Sequence, residues 1–549
     1  MKIKILLIFF ALFTFPIVKA QEILSETQKL AATAKVWGFL KYYHPNIANG
    51  NYNWDDELFK ILSKIETAQT DESLSNIFSK WIDSLGIIMK CVKCTEESSK
   101  KYINKNFDLS WTQNSKYFEP NLSQKLKYIE NNRYQGKPYY IKNTDTVWTV
   151  QIQNEPEYPN FDWKNKNLRL LALFRYWNIV EYFYPYKYLT DQKWDDVLKE
   201  MIPKFANAQT ELEYNLALLE LVVKIDDSHA TFSTPVLNDY FGLYWIPAKF
   251  TIIDNKAIIT GFYDESLAAK DDLRIGDIIT TANGESIKNI FEKHYKYLSA
   301  SNPAVKIRSS AFAIFNGNSD TITVEYIRNN VTKIKTVHRY YYNEFKSEKN
   351  LEKWEILEGN IGYINMGVLE SDDVTTAMKK LMDTKAIIFD IRNYPKSSIH
   401  YIAAYLNKVP KYFVTLTMPD IEYPGKFFIA ETQTCGTKKG EKYTGKVVVL
   451  VNEITQSQAE YSCMCFQTVD GAKIIGSQTA GADGPVTYFR FSGSDKTVFT
   501  GMGVYYPDGR ETQRIGIIPD IEVKPTIQGI RDGKDEVLEK AIEYVNDSK

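Results

Sequence analysis

Two short runs limit what this chain can fold into: Ala386-Ile-Ile-Phe-Asp-Ile391 and Val447-Val-Val-Leu-Val451 are apolar at nearly every position. A strand with one wet face alternates apolar and polar residues, so a continuous apolar run needs cover on both faces. Helices packed on a mostly parallel sheet supply that cover. From Trp354 onward the pattern agrees, with a strand at 362–366 and helices at 375–382 and 399–406. An α/β core is expected over 350–530, followed by a C-terminal helix at 531–549.

Upstream the chain repeats itself at an offset of 140 residues. Trp37-Gly-Phe-Leu-Lys-Tyr-Tyr-His-Pro45 matches Trp177-Asn-Ile-Val-Glu-Tyr-Phe-Tyr-Pro185, Trp54-Asp-Asp56 matches Trp194-Asp-Asp196, and Ala68-Gln-Thr70 matches Ala208-Gln-Thr210. Three landmarks at one offset indicate a duplicated unit. Apolar residues recur at helical spacing, as in Leu170, Leu173, Trp177 and Val180, and Pro45 and Pro185 stop the first helix of each copy. Unit 1 is expected over 21–94 and unit 2 over 161–235. The segment 95–160 reads as a polar, irregular connector with one strand at 147–152. The copies differ at their ends: Ile82-Asp-Ser-Leu85 in the first, Ile225-Asp-Asp-Ser-His-Ala230 in the second. Only the second carries a histidine there, which points to chemistry.

Between the helical units and the core lie strand-like runs at 250–253 and 257–260. They lead into Ser266-Leu-Ala-Ala-Lys-Asp-Asp-Leu-Arg-Ile-Gly-Asp277 and an Asn283-Gly284 turn. This resembles a PDZ domain, closed by the alternating strand 321–328 and with a second helix at 298–315, within limits 240–342. Domains of that kind take an extended peptide as an added strand.

Bulk properties exclude some partners. The 549 residues are 44% hydrophobic and 25% charged, and the net charge is −1, so no basic field points to nucleic acid or anionic lipid. Residues 1–20 read as a secretory signal peptide: Lys2 and Lys4 precede the apolar run 5–15, and Val18-Lys-Ala20 offers small residues before a cut. No cysteine follows the cut, which argues against a lipoprotein, and no later run is long enough for a membrane span. The mature protein is expected in the periplasm or outside the cell. Of the five cysteines, Cys91 and Cys94 lack a second pair at metal spacing, so a local disulfide or buried thiols are expected rather than zinc. Cys463 and Cys465 read as core.

The run 447–452 passes directly into Glu453-Ile-Thr-Gln-Ser-Gln-Ala-Glu-Tyr461, which places a serine between a buried strand and a helix start. There a turn exposes the hydroxyl, and the helix N-terminus offers free N–H groups to an anion. Together with Gly476-Ser-Gln-Thr-Ala-Gly481 and Gly516-Ile-Ile-Pro-Asp520, this stretch resembles the catalytic domain of family S41 serine peptidases, the C-terminal-processing and tricorn-core group. The resemblance implies a multidomain α/β protein: helical N-terminal repeats, a PDZ-like β-rich domain and a ClpP/crotonase-like α/β catalytic core.

It also implies roles. Ser457, three residues before Glu460, matches the family's nucleophile; Ser462, inside the helix, is its nearest rival. The C-terminal-processing branch draws its base from a lysine whose position here is Ala482, so that dyad is absent. The tricorn-like branch uses a histidine directly after a serine, which matches Ser228-His229 and makes His229 the expected general base, with His400 as runner-up. The glutamate that would orient the imidazole is replaced by Gln513, with Glu511 as the alternative, and Ser228 can join the network. The oxyanion hole would come from the Gln458 N–H and the loop at Asn393. The expected activity is an exported serine endopeptidase acting on peptides or unfolded protein through an acyl-enzyme, without metal or cofactor. A catalytically silent peptide- or ligand-binding protein and a hydrolase of another acyl substrate are the competing expectations.

Overall fold

The computed structural model describes residues 23–96, 98–114, 118–144, 149–346, 351–491, 493 and 496–547. The expected signal peptide, and the first two residues of the strand expected at 147–152, lie outside them. The described chain is a mixed α/β protein.

Its first helix, Glu26–Tyr43, starts at a capping box in which the Gln28 N–H donates to Ser25 Oγ (3.2 Å) and the Ser25 N–H to Gln28 Oε1 (2.8 Å). Pro45 ends it, because a proline ring excludes the helical conformation from the residue before it. His44 then caps the short helix Pro45–Ala48, accepting from the Asn46 N–H. Burial lowers its imidazole to about 4. A histidine neutral when folded and protonated when unfolded contributes stability that is complete above pH ~6.5 and is lost as pH falls toward about 4, in all about 3 kcal/mol. Urea unfolding at pH 7.5 and 4.5 should show His44→Asn, which keeps a capping acceptor, losing less stability between the two than the wild type. An equal loss in both would acquit His44.

The 140-residue offset reappears in the contacts. The indole N–H groups of Trp37 and Trp54 each donate to the other residue's carbonyl at 3.0 Å, and those of Trp177 and Trp194 do the same at 2.9 and 3.0 Å. Both ring pairs stack at 6.4 Å. Helices Glu26–Tyr43 and Lys166–Phe183 cross at equivalent positions, Gly38 against Asn178, where a Cβ on Gly38 would lie 1.7 Å from Asn178 Oδ1. Asn178 Nδ2 donates to the Ala34 carbonyl (3.0 Å) across that contact. Equivalent ion pairs also bind one unit to the other: Lys35 with Asp195 (2.7 Å), and buried Arg175 with Asp55. Residues 140 apart in the sequence thus make equivalent contacts.

The segment 95–160 departs from the irregular connector expected. It contains the helix Pro120–Asn131, which buries Leu122, Leu126 and Ile129, and a hairpin of Ile141–Asn143 with Val150–Ile152. Its strand Tyr102–Ile103 pairs with Phe427 and Phe428 of the core. A disulfide joins Cys91 and Cys94, while Cys435, Cys463 and Cys465 are buried thiols.

The middle of the chain forms an antiparallel sheet in the order Val331–His338, Thr321–Arg328, Ile278–Ala282, Lys256–Phe262, Ala248–Ile253. The helix expected at 298–315 is two, Pro303–Ser309 and Ala311–Phe315. Asn302 caps the first through the Val305 N–H, and the Ser310 hydroxyl bonds back to the Ile307 carbonyl at the break.

The core is a six-stranded sheet in the order Trp354–Leu357, Ile361–Asn365, Ala386–Asp390, Lys446–Val451, Lys473–Gly476, Ile521–Glu522, parallel except for its first pair. Helices Val374–Leu381, Ile399–Leu406 and Gln458–Phe466 cover one face and Glu536–Asp547 the other. Both apolar runs are thus buried on two sides. A second sheet, including Lys411–Pro419, Phe427–Cys435 and Gly503–Tyr505, stands beside the helix Gln458–Phe466. Among the described residues, no helix is long and apolar enough to cross a membrane.

Candidate active site

Strand Lys446–Val451 delivers the chain to a sharp turn at Ser457, whose φ of 59° and ψ of −125° lie outside the ordinary regions for a residue with a side chain. Strain of this kind costs about 1–3 kcal/mol and persists only where neighbours over-determine it. Here they do. The Ser457 N–H donates to the Ala482 carbonyl (2.9 Å) and to Glu460 Oε2 (3.3 Å). Buried Glu460 also accepts from Thr479 Oγ1 (2.5 Å), the Gly481 N–H (2.7 Å) and the Ala482 N–H (3.0 Å). Burial raises its carboxyl above the usual carboxylate range, against the pull of these donors. Gly516, at φ 68°, lets the last motif close over this knot: a Cβ there would lie 2.4 Å from Thr479 Oγ1 and 2.9 Å from Glu460 Oε1. Ser462 instead bonds back to the Gln458 carbonyl (2.7 Å), the usual state of a mid-helix serine.

Ser457 opens on a cleft of about 530 Å³ that Gln458, Tyr394, His400, Tyr461 and Asp483 also line. A larger cavity of about 660 Å³, between Val150–Ile152 and Val486–Arg490, holds none of the candidate residues. The Gln458 N–H lies in the first helical turn, where no intrahelical acceptor exists; its side chain donates to Ser397 Oγ (2.8 Å). Asn393 does not line the cleft, its Nδ2 donating to Asn365 Oδ1 (2.9 Å), whereas Tyr394 and Ser397 of the same loop do. His400 lines the cleft, bonded to the Tyr461 hydroxyl (3.1 Å).

The Ser228-His229 segment docks beside the turn that carries Ser457. Ser228 Oγ donates to the Ala480 carbonyl (3.2 Å), and Gln456 Nε2 to the Ser228 carbonyl (3.4 Å). An antiparallel bridge from Phe232 to Thr497 continues this register and sets His229 opposite Thr500. His229 Nδ1 lies 2.9 Å from Thr500 Oγ1, and that hydroxyl donates to Asp227 Oδ1 (3.0 Å). A hydroxyl has one proton, so with it committed to the carboxylate the Thr500 oxygen accepts from Nδ1–H. That assigns the tautomer and leaves Nε2 with its lone pair. Asp227 is fixed in turn by the Thr500 N–H (2.6 Å) and the His229 N–H (3.0 Å), with its Oδ1 3.7 Å from Nδ1. Burial lowers the His229 proton affinity; Asp227 opposes the shift and Arg308 adds to it. No hydrogen bond joins the imidazole to the Ser457 hydroxyl, and His229 is not among the residues that line the Ser457 cleft.

Two expected partners of the imidazole are elsewhere. Glu511 accepts from the Tyr188 hydroxyl (2.9 Å) and pairs with Lys105, because the bridge between Tyr505 and Glu511 turns it away from the site. Gln513 is buried, with Nε2 3.4 Å from Asp227 Oδ1 and 3.5 Å from the Tyr184 hydroxyl; it touches the carboxylate, not the ring. Ala482, buried, leaves no cation where a lysine base would stand. Thr500 went unread in the sequence. Among the described residues there is no group of His, Cys, Asp and Glu suited to a metal.

Residues 360–523 match the model of peptidase family S41. Among solved structures the chain is similar to mature CPAF, at 14% identity and a TM-score of 0.56, and to mature CPAF complexed with lactacystin, at 13% and 0.55. Each alignment covers 70% of this chain and 99% of that chain, a likeness of fold. The stretch 360–523 belongs to peptidase family S41, and the protein is a serine-type peptidase.

Proposed function

We propose that this chain is an exported serine endopeptidase that cleaves peptides or unfolded protein through an acyl-enzyme on Ser457, with His229 as general base. The observation that carries the proposal is the relay from His229 Nδ1 through Thr500 to Asp227, docked on the turn that strains Ser457. In this reading Nε2 takes the Ser457 proton as the hydroxyl attacks and returns it to the leaving amine. Asp227 stabilises the imidazolium through Thr500, and Gln513 steadies Asp227. The Gln458 N–H and the loop from Asn393 to Tyr394 receive the oxyanion.

The domain plan that supports this is a signal peptide at 1–20, helical units at 21–94 and 161–235 joined by 95–160, a PDZ-like domain at 240–342 and a ClpP/crotonase-like core at 350–530 with its C-terminal helix. Unit 1 packs on unit 2, and unit 2 delivers the base. Among the described residues the PDZ-like sheet has no strand beyond its outer strands Ala248–Ile253 and Val331–His338, where an extended substrate can add as a strand.

Hydrolysis of an unfolded protein, lost in Ser457→Ala, tests the proposal. Its pH profile is a second check. Because burial lowers the folded imidazole, the acid limb of kcat/KM should fall below the ordinary 6.5, with activity constant above it and declining only at lower pH. A limb centred above 6.5 contradicts His229 as the base.

A further inference from the structure

We propose that Arg308, on the helix Pro303–Ser309 of the middle domain, is a positioning residue of the active site: it locks the nucleophile turn to the segment that carries His229. This rests on the assignment of Ser457 and His229 above. Arg308 Nη1 donates to the Glu453 carbonyl (2.6 Å) and Nη2 to Gln456 Oε1 (2.8 Å). With its oxygen held there, Gln456 turns its Nε2 to the Ser228 carbonyl (3.4 Å). One guanidinium thereby reaches the residue before Ser457 and, through it, the residue before His229.

The start of the same helix repeats the arrangement. Ser301 and Ser228 exchange hydrogen bonds, each N–H donating to the other's Oγ at 2.8 Å, and both are buried. Asn302 Nδ2 donates to the Thr479 carbonyl (2.8 Å), and Thr479 in turn donates to Glu460. Residues 301–308 thus touch the base segment, the nucleophile turn and the Glu460 knot, three parts of the site that come from distant stretches of chain. Two further features suit Arg308 to this place. A planar fork can hold two acceptors at once, which an ammonium cannot do in fixed geometry. No carboxylate lies within ion-pairing distance of it among the described residues, so its charge acts on its surroundings. Burial lowers the His229 proton affinity most; the Asp227 carboxylate, from the ring's own segment, opposes the shift, and the Arg308 charge, from this helix, adds to it.

The test compares full-length wild type, Arg308→Met and Arg308→Lys. Three readouts apply: kcat and KM on a peptide substrate, the thermal midpoint, and the His229 titration followed by NMR of labelled histidine, assigned with His229→Asn. Arg308→Met should lower kcat about thirtyfold or more, with KM changed less than about threefold, since a displacement near 1 Å at the reacting groups costs about a hundredfold. It should also raise the His229 titration midpoint. Arg308→Lys, keeping the charge without the fork, should restore the titration but recover less than half of kcat. A folded Arg308→Met with kcat within threefold of wild type, or with an unchanged His229 titration, overturns the proposal. If Arg308→Met does not fold, Gln456→Ala removes the same bridge from its other end, and an unchanged kcat there overturns it equally. A wild type without Ser457-dependent hydrolysis would defeat the functional reading instead, and the His229 titration would then decide the role of Arg308 alone.

Discussion

Ser457→Ala should lower peptide hydrolysis by about 10⁴-fold or more, His229→Ala by a similar factor, and the double variant should be no worse than either single one. Non-additivity is the informative part. Groups that act in one proton transfer fail together, whereas two unrelated structural defects would multiply. Neither substitution should unfold the protein: Ser457 is half-buried at a strained turn, and the half-buried His229 ring bonds only to the Thr500 hydroxyl among the described residues. Release of the strained φ by alanine is not expected, since the bonds from the Ser457 N–H to Ala482 and Glu460 are backbone-borne and survive. Equal activity in wild type and both single variants would end the assignment. Loss in Ser457→Ala alone would keep the nucleophile and dismiss the base.

Glu460→Ala should be the most destabilising single change in the core, by about 3 kcal/mol or more. It removes the acceptor of four donors at once: the N–H groups of Ser457, Gly481 and Ala482 and the Thr479 hydroxyl, three of which are buried with it. Each unpaired buried donor costs about 1–3 kcal/mol, partly relieved where water can enter the space the side chain leaves. Glu460→Gln should fall between, because an amide keeps one acceptor but turns an N–H₂ toward donors. Urea unfolding measures both. A loss under 1 kcal/mol in the alanine variant would mean that the carboxylate is not what holds the turn.

Much of this arrangement was legible before any coordinates. The runs at 386–391 and 447–451 could only be two-sided strands, and the serine after the second could only sit at a helix entrance. The proposal of His229 came from a comparison of two similar helical stretches, of which one ends in Ser-His; the structure sets that segment against Ala480 and Gln456. What could not be read depended on tertiary register. Thr500 is one threonine in a short strand, and nothing near it in sequence marks it; the bridge between Phe232 and Thr497 is what sets it opposite His229. Glu511 illustrates the reverse error. It stands two residues from Gln513, but the chain bends back on Tyr505 between them, and its carboxylate ends on Tyr188 and Lys105. Asp227 was in view within the quoted motif, yet its part follows only from the Thr500 hydroxyl that joins it to the ring. The helix Pro120–Asn131 was obscured because its apolar positions Leu122, Leu126 and Ile129 are few and spaced among polar residues.

The docking of Ser228 on Ala480 also has a bearing on timing. The proposed base and nucleophile lie far apart along the chain, and their segments meet only when the helical region, the middle sheet and the core have all closed on one another. A chain emerging N-terminus first presents His229 long before Ser457 exists, and a chain threaded unfolded through a pore presents neither as a pair. Proteolytic competence is therefore the last property this protein acquires and the first it loses. On heating, activity should disappear when the interfaces loosen, ahead of the melting of the sheet.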